Sequence, residues 1–537
     1  MNYVIGVDIG TQSTKALLCD ATGAIVAQQV RSYRPDTPQP LWAEQWPQVW
    51  VDAVMECIAG CVTDAGAASS AFSAAHVRAI CISGLYGGSG IPVDADVQPL
   101  HPCLIWMDRR ATDEVEWVGA NVDMDRLTRI TGNGVDSYYG FTKMLWLKYH
   151  RPEVWSRTSH FLPPNAFVIQ RLTGVIAVDR SSAGNIGGVF DLETGTWSGE
   201  MLDALGIPRS MMPERLVACS AIVGGLTGDA ATRLGLAQGT PVIAGGVDAA
   251  MATFAAGVTR PGQHVAMIGS SMCWGFISHQ VDARHGLVSM PHVFGGARDT
   301  YVFGGAITAG AAVTWFREQF CQEDAASALT SGLDVHDVLE AGASRVPEGA
   351  EGLLFLPYLM GERSPVWDGK ASGAFVGLTL FHRRDHLYRA VLEGVTFALR
   401  HNIEAGARGA AALDKAVIVV GGAAHSDLWM QIIADVTGRP VLTIAQEVEA
   451  AMGSALLAAY GVGLVSAEEA QRGWVTLVPR ATPRPQAVAM YDALFDAYKA
   501  LYPALKKTMH DLHDEAAARR SLPSADEHRT TKAAIQS

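Results

Sequence analysis

At 537 residues the chain exceeds what one hydrophobic core organises, so two large domains are expected. Hydrophobic residues reach 49% and charged ones only 18%, which excludes a disordered or fibrous chain and describes an α/β enzyme rich in Gly and Ala. With 54 acidic against 41 basic residues and no basic stripe, the net charge of −13 excludes a nucleic-acid partner, and a bound nucleotide must find positive potential in backbone amides and metal.

The chain opens on an apolar run, residues 3–7, that leads into Asp8, a turn of Gly10, Thr11, Gln12, Ser13 and Thr14, and a second run over residues 15–19. This pattern predicts a β-hairpin. Gly10 lets the backbone approach a ligand, the hydroxyls and turn amides suit an anion, and Asp8 is placed to hold a hydrated Mg²⁺ near a phosphate. A plain surface hairpin with a polar tip has the same pattern. Residues 42–65 carry Val49, Trp50, Ala53, Val54, Cys57 and Ile58 at helical spacing. A buried strand over residues 76–83 then runs into Gly84-Leu85-Tyr86-Gly87-Gly88, and a strand stopping at a glycine cluster points its carboxyl end at a ligand crevice. Residues 92–99 form another hairpin tip. A short strand over 102–106 delivers Asp108 and Arg109, an acceptor and a donor suited to sugar hydroxyls, or a helix cap with solvated arginines. Tyr138 precedes an amphipathic helix start over 143–149.

Residues 241–247 are a wholly apolar strand delivering Asp248, followed by a small-residue helix. A carboxylate there is costly without partners or work, so it reads as a general base or as the cap of the next helix. Residues 264–278 repeat the plan of the opening hairpin, with Gly269, Ser270 and Ser271 at the tip, and suggest a duplicated domain. Glu362 and Arg363 read equally as an internal ion pair or a ligand contact. Leu387, Val391, Val395, Leu399 and Ile403 mark one face of a buried helix. Residues 416–420 form a strand that ends at Gly421-Gly422-Ala423, and a helix opens around Ser426 and stops at Gly438; that glycine turn and helix start suit a flat base. Beyond residue 478 the chain becomes helical and polar, and about 20 terminal residues are expected to be mobile.

The eight cysteines form no Cys-x-x-Cys pair and read as buried reduced thiols. The chain starts on a strand without a signal peptide, and no uncharged apolar run reaches the ~20 residues of a membrane span, so a cytoplasmic protein is expected. There is no Gly-x4-Gly-Lys-Ser/Thr, no strand followed by Gly-x-Gly-x-x-Gly, and no Gly-x-Ser-x-Gly.

The segment DIGTQSTK resembles the phosphate hairpin of the actin, Hsp70 and sugar-kinase superfamily, and its continuation ALLCDATGAIVA resembles the FGGY carbohydrate kinases. Residues 373–393 fit that family's signature: Gly-x-Phe-x-Gly-Leu, seven residues, His386-Leu387, two residues, then Ala390-Val391-Leu392-Glu393. The resemblance runs from residue 3 to about 478. It implies two actin-like (ribonuclease H-like) α/β domains around a central cleft, with residues 1–250 on the sugar side, 251–480 on the nucleotide side, 481–537 as helix and tail, and a hinge near 248–262. It implies transfer of the γ-phosphoryl group of ATP to a sugar hydroxyl with Mg²⁺. Asp248, within a full Gly-Gly-x-Asp-Ala match, is the implied base, and Asp8 the implied metal residue. Phosphates are implied at Gly10, Thr11, Ser13, Thr14, Gly269, Ser270 and Ser271. Gly305 joins the nucleotide side, and Gly421, Gly422, Ala423 and Ser426 line the base. Leu85, Tyr86, Gly87, Asp108, Arg109 and Tyr138 are implied on the sugar side; Tyr138 also reads as a core aromatic. A homodimer is common among such relatives.

Residues 356–378 look most like xylulokinases, whose substrate is a ketopentose. Those enzymes carry Gln-Met-His where this chain has Leu85-Tyr86-Gly87, which leaves ribulose, a tetritol or a glycerol-like polyol open. A nucleotide-switched scaffold of the actin kind and a sugar sensor that does not transfer are the alternatives from other classes.

Overall fold

The structure, a computed structural model, describes residues 2–85, 87–280, 286–322, 334–408, 412–445 and 449–520. Tyr86 and the tail expected to be mobile beyond 520 lie outside the described residues.

Two mixed sheets carry the fold. In the first, β1 (Tyr3–Ile9), β2 (Ser13–Asp20) and β3 (Ile25–Ser32) form an antiparallel meander. On the other side of β1 lies β4 (Val77–Gly84), parallel, and then β6 (Pro241–Ile243), with β5 (Ile222–Gly225) antiparallel at the edge. The second sheet repeats this. The meander is β7 (His264–Ile268), β8 (Met272–Ser278) and β10 (Thr300–Gly304), with β9 (Val288–Pro291) outside it. Beside β7 come β11 (Val417–Val420) and β12 (Val441–Ile444), both parallel, and then β13 (Leu477–Ala481) at the edge. Without the edge strands, both sheets read third, second, first, fourth, fifth. The repeat suggested by two similar hairpins is therefore a repeat of whole domains. The parallel strands are near-continuous apolar runs because helices cover both faces.

α1 (Pro47–Ala68) covers one face of the first sheet with Trp50, Val54, Cys57, Ile58 and Cys61. All eight cysteines are free, and seven are buried. The opposite face is covered by two helices distant in sequence, α3 (Asp248–Ala255) and α8 (Ala450–Gly461), α2 (Gly140–His150) lying in the same core. The small residues of α8 let it lie directly on β1: a Cβ on Gly6 would sit 2.1 Å from the Ala451 carbonyl oxygen. A helix drawn from the second half of the sequence thus completes the core of the first sheet.

The second sheet packs against α4 (Gly310–Phe320), α6 (Arg384–Ala407) and α7 (Asp427–Thr437), with α5 (Val335–Ala343) beside them. The expected face of α6 is buried at Val391, Val395, Leu399 and Ile403, with Leu387 at its margin. α9 (Pro485–Arg520) locks onto α6 through Tyr491, whose hydroxyl donates to Glu393 at 2.6 Å beside the buried Arg389–Glu393 pair. Among the described residues, no helix is long and apolar enough to cross a membrane.

Candidate active site

Asp8 and Asp248 meet where the ends of β1 and β4 lie beside the segment that joins β6 to α3; the strand expected over 241–247 pairs only as far as Ile243, and Asp248 opens α3. Ile9 pairs with Gly84, and Gly84 bridges to Val247, so the residue before Ile9 and the residue after Val247 share one edge. The backbone fixes this edge: Leu85 N–H donates to Ile9 and Gly84 N–H to Gly246, at 2.9 and 3.0 Å. Both carboxylates are half-buried, keeping a face toward solvent. Burial pushes Asp8 up to about 6; the Ser83 hydroxyl, donating at 2.7 Å, and Lys15 pull it down, and Glu449 pushes it up. Burial and the charge of Asp8 both push Asp248 well above the usual carboxylate range, and only the Ala249 N–H, at 2.6 Å, opposes them. Lys15 itself is ion-paired with Glu449, at the entry to α8.

The first hairpin turn is closed by Gly10 N–H donating to Ser13 at 2.9 Å. Ser13 stays partly exposed. Thr11 accepts from the Trp106 indole N–H at 2.9 Å and remains partly exposed. Thr14 departs from expectation. It is fully buried, its hydroxyl bonds Tyr33 at 3.0 Å, and Tyr33 donates to the Gly10 carbonyl. Thr14 therefore braces the turn from inside, since the pleat alternates side chains and turns every second one inward.

On the expected sugar side, Leu85 is buried and Gly87 N–H donates to Asn185 at 2.6 Å. The fully buried Lys143 donates to the carbonyls of Gly87 and Tyr138, at 2.8 and 2.6 Å, and so fastens the glycine loop to the Tyr138 segment. Burial pushes Lys143 down to about 7; Asp108 and Asp136 hold it up, and Arg109 adds to the fall. The helical pattern around Lys143 shows only a cation on a helix, so nothing local revealed this role. Asp108 is corrected: it is fully buried and spent on Arg110 Nε, at 2.8 Å, and on the Ala43 N–H, at 2.7 Å. Arg109 is ion-paired with Asp136, which also accepts the Tyr138 N–H at 2.7 Å. Tyr138 is buried beside Gly87 and Trp367, a core aromatic that also walls the cleft.

A cavity of about 500 Å³ lies on the second half. Gly269, Ser270, Gly422, Ala423 and Ser426 line it, joined by Gly310, Thr314, Tyr388, Trp429 and the acidic α5. Gly269, Ser270 and Ser271 are exposed at the hairpin tip. Gly421 holds the neighbouring turn at φ +89°, where a Cβ would come within 2.6 Å of the Ile268 carbonyl oxygen. Ser426 caps α7 by accepting the Trp429 N–H at 3.0 Å. Burial raises Glu340 of α5, and the Ser426 hydroxyl draws it back. Sequence reasoning missed α5 and Tyr388; Tyr388 sat in a stretch read as scaffold. Gly305 is also corrected: it does not line this cavity, and its N–H donates to Ser364 at 2.7 Å, beside Tyr138, Arg363 and Trp367.

Residues 3–255 match the N-terminal domain, and 265–462 the C-terminal domain, of the FGGY family of carbohydrate kinases. The chain belongs to this family. As an FGGY kinase it is a sugar phosphotransferase. It is 33% identical to the xylulose kinase of Bacillus subtilis (strain 168), over 94% of this chain and 97% of that protein. Its fold is similar to the ligand-bound xylulose kinase from Lactobacillus acidophilus, with TM-score 0.86 and 26% identity over 95% of this chain and all (100%) of that one. It is also similar to the gluconate kinase from the same organism, with TM-score 0.85 and 26% identity, over 94% and 98%.

Proposed function

We propose that this FGGY kinase transfers the γ-phosphoryl group of ATP to a hydroxyl of a ketopentose such as xylulose, with Asp248 as general base. The observation that carries the reading is the meeting of Asp8 with Asp248 at one edge, where burial and the charge of Asp8 together raise the proton affinity of Asp248. Asp248 accepts the proton of the attacking hydroxyl as its oxygen bonds to phosphorus and the bond to the leaving oxygen breaks. The elevated proton affinity of Asp248 suits that acceptance. Positioning carries the rest of the rate, since the protein has little covalent chemistry to perform.

The acidic pair also fits a metal. Two half-buried carboxylates without a cation between them repel, and Mg²⁺ is bound through one or two carboxylates while keeping waters and sharing phosphates. Among the described residues no cluster of three or more His, Cys, Asp or Glu forms a protein cage, in keeping with a hydrated ion at Asp8. Bound there, Mg²⁺ would neutralise phosphate charge. The tip residues Thr11 and Ser13 suit the outer phosphates. Ser270 with Ser271, and the cavity of Gly422, Ala423 and Ser426, suit the inner phosphates and the base. The domain limits proposed are 1–250, 251–480 and 481–537.

Relatives named xylulose kinase support a ketopentose. One observation favours another acceptor: Leu85 is buried and the Gly87 backbone is held by Lys143 and Asn185, at positions where xylulokinases carry an amide and an imidazole. Ribulose, a tetritol, a glycerol-like polyol or an aldonate is the second reading. Release of ADP, measured across pentuloses, hexuloses, polyols and aldonates, separates the two. Equal ADP release with and without every acceptor would instead indicate a nucleotide-switched scaffold.

A further inference from the structure

We propose that α9 is a positioning element of the acceptor site, acting through Asp368 on the loop 362–368. What the site binds rests on the kinase reading above; how the loop is held rests on separate geometry. Tyr491, Phe495 and Tyr498 bury the first part of α9 in the second core. Its later turns rest on Asp368. The Tyr502 hydroxyl and the His510 ring both donate to one oxygen of that carboxylate, His510 at 2.6 Å. The Lys370 N–H donates to the other at 2.8 Å, and the Lys370 ammonium returns to Asp514 on α9 at 2.7 Å. Burial works against the charge on Asp368, but these hydrogen bonds outweigh it and hold the carboxyl below its usual range.

Asp368 also closes the loop. Its N–H and carbonyl exchange hydrogen bonds with those of Glu362, at 3.0 and 2.9 Å. The segment between them bulges, and Trp367 takes φ +50°, a conformation that a bulky residue keeps only when its surroundings impose it. The Trp367 N–H donates to the Arg363 carbonyl at 2.7 Å, and its indole N–H donates to Gly286. The bulge carries two side chains toward the opposite half. The Trp367 ring lies 6.1 Å from that of Tyr138, and the Arg363 guanidinium sits 5.8 Å over Trp106, which bonds Thr11 of the first hairpin. Burial pushes the Cys273 thiol up to about 11, with the charge of Arg363 opposing and that of Asp248 adding to the rise. The loop is thus the reach of the second half to the acceptor wall of the first, and α9 sets where it ends.

The test is the full-length double variant Tyr502→Phe/His510→Ala, with His510→Gln as the variant that keeps a donor. Loosening a binding wall removes interactions made equally in ground and transition states, so the acceptor KM is expected to rise about tenfold while kcat and the ATP KM stay within about twofold. His510→Gln should restore most of the acceptor affinity. Hydrogen exchange of amides 363–367, read without any substrate, should quicken in the double variant and return in His510→Gln. Unchanged exchange would overturn the anchoring. Faster exchange with an unchanged acceptor KM, or a parallel rise in the ATP KM, would overturn the positioning role. A wild-type protein that phosphorylates no acceptor would overturn the kinase reading and the acceptor half of this proposal, while exchange would still decide whether α9 holds the loop.

Discussion

The two halves of the molecule are built alike and charged differently. At the end of β1 the cross-strand pair is Asp8 and Lys15; at the same place on β7 it is Met267 and Cys273. Each fifth strand then leads to an acid at the start of a helix. Asp248, in the first half, has burial and a neighbouring carboxylate pushing against its charge. Glu449, in the second, is neutralised by Lys15 across the interface. One half therefore holds Asp8 and Asp248 beside a single lysine that is ion-paired with Glu449, and the other offers backbone, hydroxyls and a cavity. A duplicated scaffold thus carries different side chains at equivalent positions: a pair of carboxylates in one half, and a cavity lined by backbone and hydroxyls in the other.

The comparison breaks most visibly at Asp248. Asp248→Asn should lower kcat roughly a thousandfold while ATP binding, followed by calorimetry, stays near wild type. Near-normal turnover would show the two acids to be equivalent structural groups. In the wild type, the acid limb of kcat/KM should lie above the ordinary carboxylate range, with activity rising as pH rises and Asp248 loses its proton. A limb near pH 4 would remove the argument.

Asp8→Asn should cost about a hundredfold in turnover and abolish activation by Mg²⁺ titration. Its stability effect has a definite sign. Because the folded Asp8 holds its proton up to about pH 6, above its unfolded value, the charged carboxylate erodes stability as pH rises through that interval. With EDTA present, the variant should outlast the wild type at pH 8 by about 1–2 kcal/mol, and the gain should vanish near pH 4. A lower melting temperature at pH 8 would contradict the repulsion between the acids.

Two smaller effects sharpen the contrast. Gly6→Val drives a side chain into α8, the helix lent by the other half, and should cost about 1–3 kcal/mol in thermal unfolding. Ser426→Ala should remove about 1 kcal/mol of capping and raise the ATP KM a few-fold without moving the acceptor KM. An equal change in both constants would mean that the cavity is not confined to the nucleotide.

The sequence by itself determined what local chemistry encodes. The two hairpins, the buried parallel strands, the small-residue helix at Asp248, and the Ser426-to-Gly438 helix were all legible, because period, turn residues and caps act within a few positions; the strand before Asp248 is shorter than its apolar run. The family was legible for the same reason, through short strings in a fixed order. Only the tertiary structure decided which polar groups face a ligand. Thr14 and Asp108 carry suitable atoms, yet Tyr33 and Arg110 consume them, and both partners come from other elements of the fold. Lys143 gained its role from burial against the carbonyls of Gly87 and Tyr138, and Gly305 lies beside Tyr138 and Trp367 through Ser364, 59 residues away. Desolvation and hydrogen-bond partnership arise from neighbours distant along the chain, so they become readable only once the chain has folded.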